Sequence, residues 1–192
     1  MRGQRLQIKQ WTRVEYEHLV EKGVFTPGDR VELIDGLLVV AEPQSSAHYT
    51  AIKLIERALG RAFGEGWTIR SQGPIALDDA SEPEPDVAVV RGDIRAYAEA
   101  HPADPVLVVE VAITSLAFDR EHKSSLYARA GQPEYWVVNL VDRVLEVRRD
   151  PAPVAGAPYG WDYRVVDVLG PDGGTSPLTA PGAWIAVADL LP

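Results

Sequence analysis

Apolar positions along this chain recur with helical period in some stretches and with strand period in others, and the switches between them mark its elements. Thr12-Arg13-Val14-Glu15 has the capping-box form, which predicts a short helix from Thr12 to near Gly23. Val31-Glu32-Leu33-Ile34, then Asp35-Gly36, then Leu37-Leu38-Val39-Val40 predict a hairpin closed by a tight two-residue turn. Beyond a loop from Glu42 to Ser46, Ile52, Ile55, Leu59 and Phe63 fall on one helical face, so a helix is expected from about Ala47 to Phe63, stopping near Gly64 and Gly66. Trp67 to Gln72 and Ile75 to Leu77 read as strands interrupted by Gly73-Pro74. The prolines at 83 and 85 deny a hydrogen-bond ladder to Asp78–Pro85, which is therefore expected to be a loop.

Val87 to Val90 predicts a short buried strand and Ile94 to Ala100 a short helix. Val106 to Ile113 is apolar on both faces apart from Glu110, the pattern of a central strand. Asp119 is placed to cap a helix reaching Ala130, with Gly131 as its stop. Glu134 to Asn139 and Val144 to Arg148 form a second expected hairpin around Val141-Asp142-Arg143, and Trp161 to Val168 one further strand. The segments Pro151–Gly160 and Gly170–Pro177 are expected to be exposed loops. Strands flanked by two substantial helices imply an α/β or α+β layer fold with a mixed sheet.

Composition narrows this picture. A chain of 192 residues supports one well-formed core, and a second independent core is not expected. The absence of cysteine excludes disulfides, thiolate zinc sites and a thiol nucleophile. No apolar run approaches the roughly 20 residues that span a bilayer. The basic start Met1-Arg2-Gly3-Gln4-Arg5 is not followed by the apolar core of a signal peptide, so a cytoplasmic protein without a membrane partner is expected. The net charge of −9 argues against a nucleic-acid coat, but not against a nuclease. Acids gathered at a metal attract phosphate once the cation is bound.

The candidate chemistry lies in three residues. Asp86 follows Pro85 at the entry to a strand, Glu110 interrupts an apolar run, and Lys123 follows on the next helix. Carboxylates in such places need partners or neutralise. A divalent cation suits two converging acids, and a lysine suits a metal-bound phosphate, which together point to a metal-dependent phosphodiesterase site. Each residue also has a plainer reading. Asp86 can cap locally, Lys123 can pair with Asp119 on a helix surface, and Glu110 can join a buried ion pair with Arg120 or Lys123. A carboxylate-pair glycosidase is a further alternative, weakened by Lys123 and by few exposed aromatics. Glu110 and Ala112 share a strand face, so the small Ala112 leaves space that Lys123 can enter. Tyr127 shares a helix face with Lys123, to line the site or to pack. His48, at a helix start, reads as a cap or packed side chain before a ligand, and Tyr135 and Trp136 read as core.

Glu84-Pro85-Asp86-Val87-Ala88-Val89-Val90, Val109-Glu110-Val111 and the segment from Asp119 to Trp136 resemble the Uma-type restriction-endonuclease family, a former domain of unknown function within the PD-(D/E)XK nuclease-like superfamily. The hairpin around Glu32 and the following His48 resemble that family's N-terminal part, and the likeness runs from about Thr12 to Leu191. It implies one nuclease-like domain over 1–192. Residues 12–140 would carry a restriction-endonuclease-like core with the site, and 141–192 the C-terminal strands and loops, with β-hairpins near both ends. It further implies a DNA endonuclease using Mg²⁺ or Mn²⁺, bound by Asp86, Glu110 and the Val111 carbonyl. Lys123 would replace the superfamily's usual lysine two residues after the glutamate, Glu32 would be a further ligand or water-positioning group, and the protein would be a homodimer. Two departures stand out: Ala112 occupies that lysine position, and Asn139 stands where an aspartate is expected. A nuclease fold without catalysis, kept as a binding module, is the alternative.

Overall fold

A computed structural model describes residues 8–26, 28–41 and 43–192; the basic start at Met1–Arg5 and Glu42 lie outside the described residues. Six strands form the main sheet in the order β3 (Trp67–Ser71), β4 (Val87–Arg91), β5 (Leu107–Ala112), β6 (Glu134–Asn139), β7 (Val144–Pro153) and β8 (Trp161–Leu169). Only β5 and β6 are parallel; the other neighbours are antiparallel. Parallel neighbours need a crossover, and here it is helical: α3 (Leu116–Phe118), a π-helical segment (Asp119–Lys123) and α4 (Ser124–Arg129). The sheet is thus mixed and flanked by helices, as expected.

Alternation along β5 divides the core. Leu107, Val109 and Val111 face α2 (Ser46–Phe63), where Ile52, Ile55 and Leu59 meet the C-terminal residues Ile185, Val187, Leu190 and Leu191. Val108 and Ala112 face the crossover helix and pack with Tyr127, Ala128 and Tyr135. Tyr135 and Trp136 are core residues, as read from the sequence.

The N-terminal helix α1 (Arg13–Glu21) carries the full capping box between Thr12 and Glu15. Its Tyr16 packs with Val31 and Leu33 of the hairpin β1 (Val31–Ile34) and β2 (Leu37–Val40). The hairpin turn has Asp35 at φ 47° and Gly36 at φ 77°, and a Cβ at Gly36 would also lie 3.0 Å from the Gln10 side chain. Glycine is required there on both counts.

Several expectations needed correction. Ile75–Leu77 is no strand. Its amides go singly to Pro83, Pro102 and Ser81 carbonyls, because a partner segment containing Pro83 and Pro85 cannot return a regular ladder. Ile94–Ala100 shrinks to a 3₁₀ turn over Ile94–Tyr97. The helix expected from Asp119 begins at Leu116, so Asp119 is inside it. β7 runs on through Pro153, placing Ala152 in the buried set. The segment Gly170–Pro177 holds β9 (Gly174–Thr175), which pairs with β10 (Ile185–Ala186). Long-range pairing, invisible to local pattern, set the outcomes at Ile75–Leu77, β7 and β9.

Candidate active site

Strand register brings the two acids together. Val87 of β4 pairs with Val109 of β5, so the residue before β4, Asp86, lies across from Glu110. The Asp86 amide donates to Glu110 Oε2 at 3.3 Å, and the Val111 amide donates to Asp86 Oδ2 at 2.8 Å. Lys123 arrives from the crossover helix. Its Nζ donates to Glu110 Oε1 at 2.9 Å and lies 3.2 Å from Glu32 Oε2 of β1. Tyr127, one helical turn on, donates its hydroxyl to the same Glu110 Oε1 at 2.9 Å. Lys123 and Tyr127 thus share one oxygen of Glu110, and both reach it from the crossover helix.

The π-helical segment explains why Asp119 and Lys123 are both buried, at 3% and 6% exposure, where a surface pair was one reading. The Ser124 amide reaches back five residues to the Asp119 carbonyl, and such widened turns recur at functional sites. Asp119 Oδ2 accepts from Ser115 Oγ at 2.6 Å, so its carboxylate serves the interior and does not cap the helix. Arg120, offered by the sequence as a partner for Glu110, instead pairs with Glu146.

His48 also belongs here. Its amide is capped by Ser45 Oγ, and its ring Nε2 lies 2.9 Å from Asp86 Oδ1. Sequence reasoning undervalued His48 and missed Asp119, Glu84, Arg30 and Phe118, all of which line the same cleft of about 250 Å³. An acid four residues before Lys123 was the available signal for Asp119. Nothing local marks Arg30 or Phe118. Asn139 is structural: its Oδ1 accepts the Val141 and Asp142 amides and so closes the turn between β6 and β7.

Four buried carboxylates (Glu32, Asp86, Glu110 and Asp119) surround one buried ammonium. Burial pushes Glu110 up to about 8, opposed by Lys123 and reinforced by Asp86, Asp119 and Glu32. Burial likewise raises Asp119 to about 6, against the pull of Lys123. Burial works against the charge of Lys123, but Glu110, Glu32 and Asp119 outweigh it and hold its pKa well above the ordinary lysine value.

This excess of acid over cation fits a hard divalent ion, and carboxylate oxygens are the donors Mg²⁺ and Mn²⁺ prefer. Among the described residues no group of three or more His, Cys, Asp or Glu side chains is arranged as a ready cage. A cation would therefore rest on two carboxylates, with main-chain, water and substrate oxygens completing its shell, which is a common arrangement for Mg²⁺.

No curated protein matches the chain. Among solved structures, a protein titled a "putative nuclease" belonging to DUF820, from Anabaena variabilis, superposes with a TM-score of 0.70 at 15% identity. The match covers 94% of this chain and 97% of that one, and at this identity it establishes the fold. A sequence model of the Uma2 family, described as "Putative restriction endonuclease", matches residues 13–188. With that match spanning nearly its whole length, the chain belongs to the Uma2 family, whose nuclease-like fold it shares.

Proposed function

We propose that this protein is a metal-dependent endonuclease hydrolysing phosphodiester bonds in DNA. The observation that carries this reading is the convergence of Asp86, Glu110 and Lys123, from three separate segments, on one cleft in which acids outnumber cations. Asp86 and Glu110, with the Val111 carbonyl, would hold Mg²⁺ or Mn²⁺. Such an ion, when bound, polarises the phosphate and lowers the pKa of a coordinated water. Tyr127 and Lys123 both hydrogen-bond Glu110 Oε1 and so fix that carboxylate, while Oε2 takes the longer bond from the Asp86 amide. His48 fixes Asp86. Lys123, steered by Glu32, offsets negative charge developing on the phosphoryl oxygens. The assembly we propose is a homodimer. Its support is the edge strand β8, exposed over five successive residues from Arg164 to Val168 and including Val165, Val166 and Val168.

A nuclease-fold module without catalysis is favoured by one observation: the Glu110 carboxylate is engaged by Lys123 at 2.9 Å and by the Tyr127 hydroxyl at 2.9 Å, both on Oε1. Calorimetry with Mn²⁺ and plasmid nicking separate the two. Wild type is expected to bind Mn²⁺ and to nick plasmid until EDTA is added. Asp86→Ala and Glu110→Ala are expected to lose both properties. Equal Mn²⁺ binding by wild type and both variants would remove the two-carboxylate site, and DNA binding without nicking in any divalent metal would favour the module.

A further inference from the structure

We propose that the strand to be cut enters this site as single-stranded DNA, with one nucleotide seated against Phe118 and its phosphate met by Arg30. This rests on the nuclease reading above and adds the substrate class. The first support is depth. Asp86 and Glu110 are only 6% and 3% exposed, at the base of a cleft of about 250 Å³. That volume lies just below the roughly 300 Å³ at which small-ligand pockets begin, so it admits a phosphate with part of its nucleotide and not a helical rod. A duplex, whose major groove alone is about 12 Å wide, keeps its phosphates on a stiff outer surface. A lone strand can turn a phosphate inward.

The second support is charge. Duplex DNA carries a negative charge about every 1.7 Å of axis and a single strand about every 3.4 Å. A protein of net charge −9 offers a poor surface to the denser polyanion. Arg30, just before β1, lines the cleft and makes no side-chain hydrogen bond or ion pair among the described residues, although it draws the raised pKa of Glu84 down. Among the described residues it is a cation of the cleft, near Glu84, that a phosphate could meet.

The third support is an aromatic row. Phe118 lines the cleft from the end of α3 and stacks on His122, with centroids 5.2 Å apart and planes at 22°. His122 in turn meets Tyr159 edge-on at 6.0 Å. Phe118, His122 and Tyr159 each keep part of their surface exposed; Phe118 is the ring that lines the cleft, and Arg129 lies over Tyr159 at 5.1 Å. Aromatic platforms of this kind stack the bases of single strands without regard to sequence.

The test uses a fluorescently labelled oligonucleotide, alone and annealed to its complement. Anisotropy in EDTA reads binding, and gels with Mn²⁺ read cutting. The single strand is expected to bind at least about tenfold more tightly than the duplex and to be cut faster. Phe118→Leu, which keeps an apolar side chain for packing, is expected to weaken single-strand binding on the order of tenfold. Phe118→Tyr should restore it, and duplex binding should follow neither change. Duplex bound and cut as well as the single strand, or Phe118→Leu binding like wild type, would overturn the proposal. Single-strand preference in EDTA with no cutting in any divalent metal would uphold the strand preference and overturn the nuclease reading instead.

Discussion

Lys123 is a buried ammonium whose removal leaves two buried acids, Glu110 and Glu32, without their cation. Lys123→Ala is therefore expected to do two things. It should lower nuclease activity by ~10²-fold or more, as loss of a transition-state donor does. In EDTA it should also destabilise the fold by about 3–5 kcal/mol, as loss of one partner from a buried pair does. Chemical denaturation beside the activity assay checks both, and a variant as stable and as active as wild type would return Lys123 to a bystander's place. Putting the lysine back on the strand is not expected to be benign, since Ala112 is fully buried in the cluster with Val108, Tyr127 and Tyr135. A second residue gives a pH signature away from the site. Burial, and then Glu17 beside it, push the Glu82 carboxyl up from 4.5 to about 7, and its Oε2 has no hydrogen-bond partner among the described residues. The folded state thus binds more protons than the unfolded chain between those values, so stability falls as pH rises through that window. Glu82→Gln is expected to flatten the dependence of Tm on pH between 4.5 and 7 and to be the more stable protein above 7. Parallel wild-type and variant curves would count against this.

At the scale of elements, the hairpin β1–β2 shows what a sequence can and cannot carry. Its existence and turn were legible because Asp35-Gly36 between two apolar runs is a local signal with a local cause, the positive φ of both residues. Its place over the site was not. Arg129 of α4 holds the hairpin there, bonding Asp35 Oδ1 at 2.6 Å and Asp78 Oδ2 at 2.9 Å across long separations in the chain. Arg129→Ala is expected to cost only about 1 kcal/mol, because these pairs are partly solvated. It should still raise hydrogen exchange over Val31–Val40 and lower activity through a displaced Glu32, and unchanged exchange there would argue against the clamp. The acids Asp86 and Glu110 could be picked out by the cost of burying them, but their meeting depends on the β4–β5 register. The π-helical turn that sets Asp119 inward was read as regular helix, since nothing in Asp119–Lys123 distinguishes a widened turn from an ordinary one.

For the molecule as a whole, the open edge at β8 is the feature with a measurable outcome. A nine-residue strand with valines on both faces and no proline invites pairing with a second copy. Sedimentation is expected to show a dimer that Val166→Lys converts to monomer, and a monomeric wild type would remove the assembly. The other end of the chain carries a different consequence. Ile185, Val187, Leu190 and Leu191 close the core over α2, and fully buried Glu134 binds the Leu178 amide at 2.7 Å. During synthesis, Asp86, Glu110 and Lys123 emerge from the ribosome long before these residues do. The growing chain thus carries every acid of the site while lacking the layer that seats α2 against the sheet. The layer that seats α2 is thus the last part of the site's support to be made, and replacing Leu190 and Leu191 by alanine is expected to loosen α2 and, with it, the hold of His48 on Asp86.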